Sequence, residues 1–131
     1  MKLKFIKAED LDKNSKATVH TSGKLGFSSD AMSLLGLDEN KFIAFATNED
    51  DISDTSLYAV VYSGIQEGAF KINKAGGYFY VNTKSMFESL GVDYKNVKII
   101  YDIVKTEYEG EPIYKMLRRE IRKKKKEMPT E

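Results

Sequence analysis

The chain has 131 residues, 41% of them hydrophobic and 31% charged, which predicts one globular domain with a buried core and excludes an intrinsically disordered chain. It contains no cysteine, which excludes disulfides and thiolate-bound metals and favours a cytoplasmic protein. The net charge of +1 divides unevenly: residues 1–112 hold 13 lysines, no arginine and 17 acidic residues, whereas residues 113–131 hold eight basic and three acidic residues. A mildly acidic body therefore carries a basic tail.

The N-terminal residues alternate lysines with one or two apolar side chains. This pattern lacks the apolar stretch of a signal peptide, and no segment reaches the roughly 20 apolar residues of a membrane helix, so we expect no membrane association. Within residues 1–11, the apolar Leu3, Phe5 and Ile6 predict a further edge strand.

Residues 16–62 predict a strand–turn–strand–helix–strand–strand unit. The alternation of Leu25 and Phe27 with polar or small residues is typical of a half-buried strand. Ser28 or Ser29 is expected to cap a short helix, and Gly36 to end it in the left-handed conformation. The predicted elements are a strand before the turn at Gly23, a strand over 24–28, the helix, and strands over 41–47 and 57–62.

Residues 70–117 predict the same order of elements after a connector over 65–70. Tyr78 and Tyr80 give this unit the alternation of a half-buried strand. Asn82 or Thr83 is expected to cap its helix, and Gly91 is expected to end that helix. The predicted elements are a strand before the turn at Gly76, a strand over 77–81, the helix, and strands over 96–104 and 113–117. For residues 113–117 the alternative to a strand is a helix.

The two units match in the order of their features. Gly23 corresponds to Gly76, and Leu35-Gly36 to Leu90-Gly91. We interpret this as an internal duplication, the alternative being the chance similarity of two hairpins. One such unit is too small to bury both faces of its strands. The prediction is a single domain, mostly β with short helices (α+β), forming a pseudo-twofold β-barrel from two repeats plus a basic C-terminal helix or tail over 115–131.

The segments Ser22-Gly23-Lys24-Leu25-Gly26-Phe27-Ser28 and Leu35-Gly36-Leu37, with Ala75-Gly76 and Leu90-Gly91-Val92 in the second unit, resemble the AbrB/MazE/SpoVT family of swapped-hairpin barrels. The resemblance spans most of the chain. It implies a DNA-binding barrel that is normally built by two short chains, here replaced by two copies within one.

The tail is the strongest charge signal. Met116, Leu117 and Ile121 are spaced to pack one side of a helix whose basic groups face outward. Such a tail suits the phosphate backbone of DNA or RNA, and the alternative is a solvated end that binds nothing. The candidate nucleic-acid-binding residues here are Lys115, Arg118, Arg119, Arg122, Lys123, Lys124, Lys125 and Lys126.

Further candidates flank the hairpin turns. Lys24, Lys71 and Lys74 lie near one another if the family geometry holds, with His20 nearby, and the alternative is that they are ordinary surface lysines. Tyr78, Phe79 and Tyr80 are consecutive, so at least one ring must point away from the core. Tyr78 and Tyr80 are therefore candidates for stacking a base, with core or interface packing as the alternative.

Nothing in the sequence predicts a catalytic centre, a metal site or a cofactor. His20, Ser28 and Asp30 contain the residue types of a hydrolase triad, but their spacing does not define one. The acidic run of Glu49, Asp50, Asp51 and Asp54 lacks the spacing of a calcium loop, so a solvated loop is expected.

Two functions fit these features. The first is a non-enzymatic, AbrB-like nucleic-acid-binding protein in transcription regulation, predicted from the resemblance and the basic tail. The second is a protein–protein interaction or assembly module, which either forms a homo-oligomer or binds a different protein as its partner. The acidic body and the absence of arginine from residues 1–112 favour this second function.

Overall fold

The computed structural model describes residues 1–3 and 15–122. Within them lie nine strands and two short helices, and no helix has the length and apolarity needed to cross a membrane. In chain order they are β1 (Lys16–Val19), β2 (Leu25–Phe27), α1 (Ser29–Leu35), β3 (Phe42–Ala46), β4 (Leu57–Tyr62), β5 (Phe70–Lys71), β6 (Asn73–Ala75), β7 (Tyr78–Val81), α2 (Lys84–Ser89), β8 (Val97–Tyr108) and β9 (Glu111–Arg122). The edge strand predicted over 1–11 falls mostly outside the described residues.

The strands form one antiparallel sheet with the order β5-β3-β4-β9-β8-β1-β2-β7-β6. Its two outermost strands, β5 and β6, are separated in the chain by Ile72 alone. The Ile72 N–H donates to the Lys41 carbonyl over 3.2 Å, and its side chain is fully buried. One stretch of chain therefore borders both edges of the sheet, which curls into the nearly closed barrel that the sequence predicts.

The interior is built from the alternate residues of each strand. Leu25 and Val81 are fully buried and face each other between β2 and β7. The helix α2 adds Phe87, which is also fully buried and stacks on Tyr101 of β8 with 6.2 Å between ring centroids. This alternation leaves the intervening side chains of each strand on the outer surface of the barrel.

The helix ends agree largely with the sequence. The Ser28 hydroxyl accepts the Ala31 N–H and caps α1, and Gly36 ends that helix with a φ of +64°. Thr83 occupies the capping position of α2 but makes no capping bond. Its hydroxyl instead donates to the Gly23 carbonyl over 2.8 Å, so this buried side chain joins the second half of the chain to the first hairpin turn.

The strand predicted over 113–117 is confirmed and is longer than expected, whereas the alternative of a basic helix is wrong as far as residue 122. Residues 111–122 form β9, which pairs with all twelve residues of β8 in an unbroken antiparallel register. The hairpin turn is Glu109-Gly110, whose φ angles of +52° and +81° suit a two-residue turn. Pairing with β8 overrides the local helical pattern, while Lys123, Lys124, Lys125 and Lys126 lie outside the described residues.

Candidate nucleic-acid interface

Two stretches of the chain lack acidic residues, a feature that the sequence analysis missed. Residues 15–29 and 68–87 contain five lysines and one histidine but no Asp or Glu, although the chain holds 20 acidic residues. The first stretch forms β1 and β2, and the second forms β5, β6 and β7. Since β2 pairs with β7, the fold places the two carboxylate-free hairpins side by side.

The outward side chains of these strands define a surface that we call the hairpin face. Ala17 and Val19 of β1 and Val81 of β7 are buried, and Phe79 packs against the core, so their neighbours point outward. Lys71 and Asn73 flank the buried Ile72 in the chain, so by the same alternation their side chains point outward. The hairpin face comprises Lys16, Thr18, His20, Lys24, Gly26, Lys71, Asn73, Tyr78 and Tyr80.

Three rings and one ammonium group meet at the centre of this face. The His20 and Tyr78 ring centroids are 6.5 Å apart, and those of Tyr78 and Tyr80 are 6.1 Å apart. The Lys24 Nζ lies 4.8 Å from the centroid of the Tyr80 ring, a cation–π distance. Tyr78 keeps 44% of its surface exposed, so the cluster is accessible to a ligand.

Gly26 makes room for this cluster. A Cβ atom built on Gly26 would come within 2.6 Å of the His20 Nε2. The imidazole therefore lies over the bare backbone of β2, beside Tyr80, which is the cross-strand partner of Gly26. Any larger residue at this position would displace the histidine ring.

The lysines of the hairpin face form no ion pair among the described residues, although Lys16 is the cross-strand partner of Asp102, whose carboxylate binds Arg119. Within residues 1–3 and 15–122, no carboxylate lies within ion-pair distance of Lys16, Lys24 or Lys71. Lys74 differs, because it pairs with Phe79 across the strands and so points away from the tyrosines, and its Nζ is 4.0 Å from Glu39. The structure thus places Lys24 and Lys71 on the hairpin face, but not Lys74.

Strands β8 and β1 separate β9 from β2, but Arg119 borders the hairpin face, because its partner Asp102 is paired with Lys16 across the strands. Arg119 donates to both carboxylate oxygens of Asp102, at 2.9 and 3.1 Å, and these bonds raise the pKa of its guanidinium. Arg118 bonds to Glu120 at 2.7 and 3.0 Å. The charges of both arginines are therefore largely offset within the protein.

The other basic candidates on β9 stand apart from these pairs. The Lys115 Nζ lies 5.8 Å from the centroid of the Tyr58 ring, and Arg122 is exposed at the end of the strand. Neither residue reaches the hairpin face. The fold thus separates Lys115 and Arg122 from the hairpin lysines, whereas Arg119 borders Lys16 through Asp102.

The acidic loop is organised by its own hydrogen bonds. The Asp54 carboxylate accepts the Ser56 N–H, the Tyr58 hydroxyl and the Asn48 amide, over 2.9, 2.8 and 3.2 Å. These bonds hold the pKa of Asp54 well below its usual range and raise that of Tyr58. Among the side chains that the structure describes, no three His, Asp or Glu residues are arranged to hold a metal ion.

The Ser28 hydroxyl, which belonged to the weak triad pattern, has a structural role. It accepts the backbone N–H groups of Lys16 and Ala31 at 3.0 and 3.2 Å, which joins β1 to the start of α1. His20 contacts Tyr78 and Gly26 on the hairpin face instead.

Comparison with known proteins adds no functional assignment. A scan against protein-family models, a search of curated proteins and a search of solved structures each found no match to this chain. The case for a function therefore rests on the residues of the hairpin face and on the arrangement of the strands.

Proposed function

We propose that this protein is a non-enzymatic nucleic-acid-binding regulator whose hairpin face contacts the phosphate backbone. The observation that carries the proposal is the junction of two carboxylate-free hairpins, where aromatic rings are exposed and where Lys24 and Lys71 form no ion pair among the described residues. Phosphate attraction supplies most of the sequence-independent affinity of such proteins, and a neighbouring carboxylate would weaken it.

The strand order supports a tandem, AbrB-like architecture for this regulator. The strands β5 and β6 can be treated as one strand, here called the β5–β6 strand. If β1, β2, β3 and β4 are exchanged with the β5–β6 strand, β7, β8 and β9 respectively, the sheet contains the same set of paired strands as before. The pairs β2·β7 and β4·β9 exchange into themselves, and β1·β8 exchanges with the contact between β3 and the β5–β6 strand. We infer that one chain takes the place of two symmetric copies.

The test is nucleic-acid binding as a function of salt. We expect labelled DNA or RNA to bind at low ionic strength, with an affinity that falls steeply as salt rises. Each phosphate contact contributes a slope of about 0.9 for duplex DNA in a plot of log affinity against log salt. Lys24→Gln and Lys71→Gln should each reduce the slope by about 1.

Lys105→Gln is the matched control. It removes the same charge from an exposed position on β8, away from the hairpin face. If all three variants reduce the slope equally, the nucleic acid is attracted by the net charge of the protein and not by the hairpin face. If fluorescence anisotropy detects no salt-sensitive binding even at low ionic strength, the proposed function is wrong.

The contribution of the tail can be measured separately. A deletion that begins at Lys123 keeps all of β9, whereas a deletion from Arg118 would remove part of a strand in the sheet. If Lys123, Lys124, Lys125 and Lys126 contact phosphates, the shortened protein will bind with a smaller salt slope and unchanged stability. An unchanged slope would confine the interface to the barrel.

A protein–protein interaction module is the second candidate, and the outer face of β8 and β9 favours it. Val104, Leu117 and Ile121 each expose between 41% and 46% of their surface there. We expect this function to show as a stable homo-oligomer that Leu117→Ser dissociates, measured by light scattering on a sizing column. A strictly monomeric protein would count against self-assembly.

A further inference from the structure

We propose that the hairpin face selects single-stranded over double-stranded nucleic acid by stacking unpaired bases on His20, Tyr78 and Tyr80. This inference rests on the proposed function and specifies its ligand. Its basis is the succession of three outward rings, spaced 6.5 and 6.1 Å between centroids and tilted by 52° and 47° to one another, with the Lys24 Nζ over the last of them.

The rings are not needed by the core. On β7, Val81 is buried and Phe79 packs against the core cluster, whereas Tyr78 and Tyr80 project from the opposite side of the strand. Tyrosines used only for packing would contribute to the interior. Here one of them leaves 44% of its surface in solvent.

The neighbours of the rings are small. Tyr80 pairs with Gly26 on β2 and with Asn73 on β6, and Gly26 in turn pairs with Thr18 on β1. The rings therefore stand above short or absent side chains on the outward surface of the sheet. A flat base can approach such a platform from solvent.

The shape of the platform distinguishes the two forms of nucleic acid. In a duplex the flat faces of the bases are covered by their neighbours, so rings on a sheet surface reach only the backbone and the groove edges. In a single strand the bases can turn outward and stack on aromatic side chains, while lysines along the path contact the phosphates. Lys16, Lys24 and Lys71 are the groups placed to do this.

The experiment compares a short labelled oligothymidine, an oligouridine of equal length and a hairpin duplex under the same low-salt conditions. Stacking contributes about 1–3 kcal/mol per base, which corresponds to roughly 5- to 150-fold in affinity for each base stacked. We therefore expect the full-length protein to bind the single strands at least about tenfold more tightly than the duplex.

Variants of the exposed tyrosine test the cause. Tyr78→Ala should weaken single-strand binding by about 5- to 150-fold, the contribution of one stacked base, while its affinity for the duplex stays the same. Tyr78→Phe keeps the ring and should keep the preference. Gly26→Ala leaves all three rings in the chain but displaces His20, so it should reduce single-strand affinity alone. Circular dichroism of each variant checks that the barrel is intact.

The outcomes separate the two proposals. Equal or tighter binding of the duplex, or a single-strand affinity unaffected by Tyr78→Ala, overturns base stacking and leaves the phosphate-binding function standing. No binding to any of the three probes overturns both.

Discussion

Gly23 lies where the first hairpin turn meets the second half of the chain, and its replacement by alanine tests how closely the halves are packed. Its φ of +88° is one that residues with side chains rarely adopt. An added Cβ would lie 2.7 Å from the Lys84 Cβ and 2.8 Å from the Lys84 Cα at the start of α2. The backbone itself is therefore an obstacle, and the helix would have to move.

The expected cost has two parts. A left-handed conformation costs about 1–2 kcal/mol for a residue with a Cβ. Inserting a carbon into a packed site costs typically another ~1–3 kcal/mol. We therefore expect Gly23→Ala to lower the free energy of unfolding by about 2–5 kcal/mol, a large share of the roughly 5–15 kcal/mol that stabilises a typical domain.

Gly76→Ala is the matched control, because Gly76 also lies in a hairpin turn, between β6 and β7, and also has a positive φ. Its φ is +60°, but an added Cβ would meet no atom within 4 Å. This variant should lose only the conformational part, about 1–2 kcal/mol. Urea unfolding of both variants and of the unaltered protein measures the difference. If Gly76→Ala is destabilised as much as Gly23→Ala, the close packing of the first turn against α2 does not matter to stability.

Three further predictions concern single side chains. Phe87→Ala removes a buried ring stacked on Tyr101 and should cost about 3–5 kcal/mol in urea unfolding; a loss below about 1 kcal/mol would mean that the site collapses freely. Asp54→Asn should be less stable than the unaltered protein at neutral pH. The hydrogen bonds that lower the pKa of Asp54 stabilise only its ionised carboxylate. The stability difference between the variant and the unaltered protein should therefore shrink as pH falls below 3.8, and a difference constant with pH would refute this role of Asp54. Arg118→Gln should leave the salt slope of nucleic-acid binding unchanged, because this guanidinium is already paired with Glu120 on β9, and a reduced slope would place Arg118 in the interface.

Local patterns predict most elements of this fold. Strand β4 has the predicted bounds, and α1 begins at the cap and ends at the glycine that the sequence indicates. These features depend on side-chain alternation and on the conformational needs of a few residues, which are properties of neighbours in the chain. The strand predicted over 113–117 is confirmed within β9, but the full length of β9 depends on its pairing with β8, and local spacing contains no information about that partner.

The sequence by itself determined the bounds of β4, the cap and the end of α1, and the absence of acidic residues from two stretches that carry lysines, although that last feature was recognised only once the structure placed them side by side. Only the tertiary structure decided which charges remain available, because ion pairs join strands that a linear reading treats separately: Arg119 meets Asp102, while Lys24 meets no carboxylate among the described residues. The same holds for the aromatic cluster. His20 and Tyr78 come together because β2 pairs with β7, and the partner of a strand is decided by packing within the shared core and not by its neighbours in the chain.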